Sequence, residues 1–338
     1  MQLMLELPIA SPEKRIQFTE GLLLTGSCFT EHIGKTLGEM KFQVLQNPHG
    51  ILFDPLSVAS SLVSYVHNKQ YGKEDLFFYE ELWQSWQHHS LFSNTSQQDC
   101  LDRINFSQRQ AHEFLQKAGW CVITLGSAFS YRLGAQAPSI HLSAAGPGRE
   151  VANCHRAPGN WFRKELMETS AICSALEEAL QALFQFNKNV QVIFTVSPVR
   201  HIRDGLVDNN RSKARLIESV HRLKEAFGRV HYFPAYELVI DVLRDYRFYD
   251  IDLVHPNYQA TSYVLEQFRE HYIDKPSREM MSELSRILSA RKHRAFQPDT
   301  GAHRNFLETH MLLAKAFQQK YPSIDMGEEI RYFSETTP

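Results

Sequence analysis

The 338-residue chain has few cysteines, almost no net charge and no long apolar run. Each shortage removes a class of function. The five cysteines, at positions 28, 100, 121, 154 and 173, are odd in number and scattered, with no CxxC pair. Such a set builds neither a disulfide framework nor a thiolate zinc site, so reduced thiols are expected and each is open to chemistry. A formal charge of -2 gives no field that would gather nucleic acid or anionic lipid. No stretch approaches the ~18 apolar residues of a membrane span, and Met1 to Pro8 has no basic n-region or long apolar h-region. The chain therefore reads as cytoplasmic, with neither membrane nor nucleic acid as a partner and its oligomeric state open. The 16 histidines include His49, His88, His89, His155 and His201, but none has the i, i+4 spacing with a carboxylate that marks a zincin, so neither metal nor cofactor is expected.

What is present is an alternation. Gly21 to Thr25 is a short apolar run closed by Gly26, and Ile33, Leu37 and Met40 follow at helical spacing. Trp120 to Leu125, closed by Gly126, and Val190 to Val196, closed by Ser197-Pro198, repeat the design, with Val230 to Phe233 a weaker copy. Helical patterns separate them: Leu56 to Val66, Gln108 to Lys117, Trp161 to Phe186 and Ser212 to Phe227. Strands alternating with helices imply parallel βαβ units, with ligands at the carboxyl ends of the strands. Asn68 to Asn94 has no clear period and reads as an irregular excursion. Beyond Ile273 the pattern becomes helical only, over Pro276 to Lys292 and His303 to Lys320. The expected division is an α/β domain over 1–272 and a helical C-terminal extension over 273–338.

Two short segments carry chemistry. Gly26-Ser27-Cys28 falls on the first strand-to-helix turn, where helix N–H groups and their partial positive charge should lower a thiol pKa and form part of an oxyanion hole. A Ser N-cap followed by a buried Cys is the bland alternative. Asp252-Leu253-Val254-His255-Pro256 precedes the last helix of the α/β region, with Pro256 expected at its first position. There Asp252 would orient His255 as a base.

These segments resemble a known family. Gly26-Ser27-Cys28-Phe29-Thr30 is similar to the motif that names the GSCFA family, with Thr30 in place of its Ala. The resemblance runs through Asn47-Pro48-His49-Gly50-Ile51-Leu52-Phe53-Asp54-Pro55, Ser85-Trp86-Gln87-His88-His89-Ser90, Thr124-Leu125-Gly126-Ser127-Ala128-Phe129, Asn153-Cys154-His155 and Phe194 to His201. It covers roughly residues 15 to 270 and implies a relationship to the SGNH (GDSL-like) hydrolases. That relationship implies a three-layer α/β/α, flavodoxin-like fold and ester hydrolysis on a small acyl-ester substrate, with the acyl group on a sugar or similar polar alcohol. Cys28 falls at the nucleophile position, with Ser27 in reserve, and Asp252 and His255 match the Asp-x-x-His block. Gly126-Ser127-Ala128-Phe129 lacks the superfamily's oxyanion Asn, so the backbone at Gly50 or Gly126, or the Asn153 side chain, would join the Cys28 N–H. His155, Arg200, His201 and His89 complete the candidate substrate-binding set, Arg200 through bidentate contact with a carboxylate or phosphate. Two alternatives stand beside the hydrolase: a non-catalytic ligand-binding module on the same fold, and a redox or transferase protein in which Cys28 and Cys154 approach each other.

Overall fold

A computed structural model describes residues 5–138 and 148–335. Strands β1 (Leu22–Gly26), β2 (Val44–Gln46), β5 (Trp120–Leu125), β9 (Gln191–Val196) and β10 (Val230–Tyr232) form one parallel sheet in the order β10-β9-β5-β1-β2. Counting only these strands, the order is 2-1-3-4-5, the flavodoxin-like winding, and its switch point lies between β1 and β5. The turn at Gly26-Ser27-Cys28 and the turn at Gly126-Ser127 open onto that point.

Burial explains why the central strands form. Every residue of β1 and β5 is buried, as is all of β9 after Gln191. Burying each large apolar side chain contributes roughly 1.5–3 kcal/mol. Leu22, Leu24, Trp120, Val122 and Ile193 face one side, against helix α1 (Cys28–Glu39) and later helices. Leu23, Cys121, Ile123, Val192 and Phe194 face the other, against α2 (Pro55–Val66), α3 (Gln97–Lys117), α4 (Thr169–Phe186) and α5 (Leu206–Ala226). The result is the expected three-layer α/β/α arrangement.

After β10 come the short helix α6 (Ala235–Glu237), a π-helical turn over Leu238–Leu243 and helix α7 (Tyr258–Tyr272). Three helices close the chain: α8 (Lys275–Lys292), α9 (Gly301–Lys320) and α10 (Gly327–Glu335). Met280, Leu284, Leu307, Phe317 and Phe333 from these three share one cluster with Leu22, Leu24 and Trp120 of the sheet. The junction is bolted down as well. Ile16 bridges Ile273, and the Phe18 N–H donates to Ser277 Oγ in the first turn of α8 (2.8 Å).

Several sequence expectations needed correction. Trp161 to Phe186 is not one helix: Phe162–Leu166 is strand β8, paired antiparallel with β6 (Phe129–Leu133), which also pairs β7 (Glu150–Val151). The excursion over Asn68 to Asn94 contains a hairpin of β3 (Phe77–Tyr79) and β4 (Leu82–Gln84). Pro256 lies before the start of α7, whose N-cap is Asn257, with its side chain accepting from the Ala260 N–H. The short edge strand β2 and the last helix, α10, lay outside the sequence expectations.

Candidate active site

The turn after β1 is held by contacts that only glycine tolerates. Gly26 has φ +132°, and a β-carbon there would sit 2.1 Å from the Thr124 carbonyl oxygen. Its N–H donates to Asn47 Oδ1 (3.0 Å), and the Ser27 N–H donates to Thr124 O (3.1 Å). Across the switch point, a β-carbon on Gly126 would lie 3.1 Å from Phe53 Cδ1 and 3.3 Å from Ser27 Cβ. The two glycine turns are therefore in direct contact.

Ser27 and Cys28 differ in access. Ser27 is the N-cap of α1, but its hydroxyl caps nothing: Oγ is buried and has no partner among the described residues. Cys28, the first residue of the helix, is partly exposed. Its own N–H and that of Phe29 bond the sulfur when ionised and lower its pKa, as does Lys213. Burial and the Glu31 carboxylate act the other way and win, so the thiol pKa is raised. The expectation that a helix N-terminus would lower it is overturned, because desolvation of the thiolate outweighs the helix donors.

Asp252 and His255 meet as the sequence expected. Asp252 Oδ2 lies 2.6 Å from His255 Nδ1, and Oδ1 accepts from the N–H groups of Val254 (2.9 Å) and His255 (3.0 Å). These bonds hold the Asp252 carboxyl down to about 2. Leu253 takes a left-handed φ of +57° to let the carboxylate reach back over the turn. Both side chains are about half exposed, and no hydrogen bond joins His255 to Cys28.

Arg200 and His201, in the loop after β9, lie against this segment. The Arg200 N–H donates to Val254 O (3.2 Å), its guanidinium meets the Tyr249 hydroxyl, and Asp204 pairs instead with Lys164. His201 packs edge-on to Phe53 with ring centroids 5.9 Å apart, and its buried Nε2 has no partner among the described residues. Burial above all, then the charge of Lys213, brings its pKa down to about 4, so the ring is neutral.

The remaining candidates divide. His89 is partly buried, close enough to Glu31 to feel its charge, and accepts from the Leu91 N–H through Nδ1 (3.3 Å). His155 instead belongs to the aromatic cluster around Trp86: its Nε2 donates to Ser85 O (2.8 Å), and Asn153 Oδ1 accepts the His155 N–H (2.8 Å). The N–H of Gly50 is spent on Asn47 O (2.7 Å) and that of Gly126 on Phe53 O (2.8 Å), so neither is free for an oxyanion. The N–H groups of Cys28 and Phe29 bond no backbone carbonyl among the described residues. All five cysteines are free thiols, and among the described residues no cluster of His, Cys, Asp and Glu is arranged to hold a metal.

One residue was missed. Lys213 of α5 is fully buried, and its ammonium donates to Gly126 O (2.6 Å) and Ser197 O (2.7 Å), the first carbonyls beyond β5 and β9. The sequence carried a signal. Lys213 falls three residues before Leu216, which is followed at spacings of four and three by Val220 and Leu223, all buried. A lysine on an apolar stripe is not a solvent-facing lysine.

The fold and site define a doubly wound α/β/α protein with a thiol at its first strand-to-helix turn and an Asp-His pair in a loop beyond its last strand. Within that class the chain belongs to the GSCFA family. The family model matches residues 21–268, and a model described as GSCFA domain protein, C-terminal domain, matches residues 284–337. No curated protein matches the chain. No helix among the described residues is long and apolar enough to cross a membrane.

Proposed function

We propose that the protein cleaves or transfers a small acyl group held in ester linkage to a polar alcohol. Cys28 is the nucleophile, His255 the base and Asp252 the residue that fixes the imidazole. The observation that carries this is the Asp252–His255 pair, in which the ionised carboxylate accepts a hydrogen bond from Nδ1–H, keeping the proton on Nδ1 and leaving Nε2 as an acceptor. His255 takes the Cys28 proton as the sulfur attacks the acyl carbon, and returns it to the departing alkoxide. Water, or a second alcohol, then attacks the thioester with His255 taking its proton; the C–S bond breaks, the acyl group leaves as acid or new ester, and the proton returns to the Cys28 sulfur. The Cys28 and Phe29 N–H groups, which bond no backbone carbonyl among the described residues, are the donors for the oxyanion in this reading. The neutral imidazole of His201 offers its unpartnered nitrogen to substrate.

A thiol with a raised pKa is protonated at rest, which makes a base necessary. Cys28 is chosen over Ser27 because the Ser27 hydroxyl is buried. The test is labelling by an acyl-ester activity probe in wild type, Cys28→Ala, Ser27→Ala and His255→Ala. Loss is expected in the Cys28 and His255 variants and retention in Ser27→Ala. Labelling that survives in both Cys28→Ala and His255→Ala ends the proposal.

A further inference from the structure

Lys213 stands under the active turn with its charge fully enclosed. Two carbonyls accept from its nitrogen, those of Gly126 and Ser197, and Gly126 packs directly on Ser27. From the neighbouring Ser212, Oγ accepts the Ala128 N–H (2.7 Å), so α5 is fixed to the end of β5 through consecutive side chains. A clamp of strand ends needs hydrogen bonds but no charge. An uncharged donor would serve it without the cost of burying an ammonium, several kcal/mol.

We propose that Lys213 is a positioning residue of this site, its pinned ammonium supplying the positive charge that stabilises the Cys28 thiolate. This rests on Cys28 being the nucleophile of the proposed function.

The charges at this place act as a set. Burial penalises each ion taken alone: it pushes the lysine down to about 7 and the thiol up. Each also favours the ionised form of the other. When the Cys28 proton is taken in the reaction, the thiolate formed and the ammonium are neutral together, and the Gly126 and Ser197 carbonyls hold the ammonium in place beside the turn. Arg200 opposes the charge on Lys213, the Lys213 charge adds to the burial that keeps His201 neutral, and the Tyr236 ring lies 6.0 Å from the nitrogen. Glu31 is the carboxylate that opposes the thiolate.

The test is the pH dependence of Cys28 alkylation by iodoacetamide, read by peptide mass, in which the thiolate displaces iodide. In Lys213→Met the midpoint should rise by about one unit or more, so that alkylation at pH 7 slows about ten-fold while the rate at high pH is kept. Lys213→Arg keeps the charge and should lie closer to wild type. A folded Lys213→Met protein with the wild-type midpoint overturns the proposal.

A second measurement does not depend on that variant folding. The Lys213 ammonium, followed by NMR of protein labelled at lysine Cε, should titrate at lower pH in Cys28→Ala than in wild type, since the coupling is reciprocal. Equal midpoints overturn it. Neither readout uses an ester, so an inert acyl probe would sink the proposed function without moving either midpoint, and the two failures are told apart.

Discussion

Asp252 Oδ2 lies 2.6 Å from His255 Nδ1, while the other oxygen of the same carboxylate accepts two backbone N–H groups of the loop. One residue thus sets both the shape of the turn and the tautomer of the ring. Asp252→Asn separates the two roles. The amide oxygen can keep the backbone bonds, but an amide N–H aimed at Nδ1 moves the imidazole proton to Nε2 and removes the base. Ester turnover should fall about 10²- to 10⁴-fold with the melting temperature nearly unchanged. Turnover within a factor of two of wild type would remove Asp252 from the mechanism.

Gly26 and Gly126 make opposite demands on a methyl group. At Gly26 the β-carbon meets rigid backbone at 2.1 Å under a positive φ, whereas at Gly126 its nearest neighbours, at 3.1 to 3.3 Å, include the Phe53 and Ser27 side chains and the Phe53 carbonyl oxygen. Gly26→Ala should therefore cost about 3 kcal/mol or more and give little folded protein. Gly126→Ala should cost about 1–2 kcal/mol, as the Phe53 and Ser27 side chains give way by a few tenths of an ångström. Denaturant unfolding checks both, and equal losses would refute the distinction.

Sequence legibility follows burial. β1, β5 and β9 read clearly because both their faces are covered and their residues are uniformly apolar. Phe162-Arg163-Lys164-Glu165-Leu166 was absorbed into the helix after it because its three central residues are charged and exposed, so apolar content gave it no strand signature. At the site, Cys28, Asp252 and His255 were legible because their spacing within each motif is local. For Lys213 the apolar stripe of Leu216, Val220 and Leu223 signals burial but not a role, because its partners at Gly126 and Ser197 lie 87 and 16 residues away and are backbone carbonyls, which no side-chain pattern records.

Acid should destabilise the protein from an unusually high pH. Burial brings His49 down to about 3 and His155 and His201 to about 4, and it holds His88 well below the ordinary value. With folded pKa values below the unfolded ~6.5, these rings contribute stability that is present above pH 6.5 and lost progressively as pH falls toward 3. Asp54 acts in the opposite sense: burial raises its carboxyl to about 6, so its contribution grows as pH falls from 6 to 4. The histidines prevail by number. The urea midpoint should drop steadily below pH 6.5, and His155→Gln should flatten the slope. A midpoint constant between pH 6.5 and 4.5 would contradict this.

Glu329 ties the last helix to the rest of the molecule. Its side chain is 1% exposed, with Arg291 Nη1 at 2.8 Å and Lys41 Nζ at 3.1 Å, so one buried carboxylate in α10 joins α8 to the turn after α1. A buried carboxylate is stable only with its cations, and removing it leaves them facing an apolar cluster that includes Phe333. Glu329→Ala should cost about 2–3 kcal/mol, below the usual loss for a broken buried pair because both cations are partly solvated. Because the C-terminal helices share one core with the sheet, that loss should lower a single unfolding transition. A separate early transition of α8 to α10, with the sheet unaffected, would show that the shared core does not couple them.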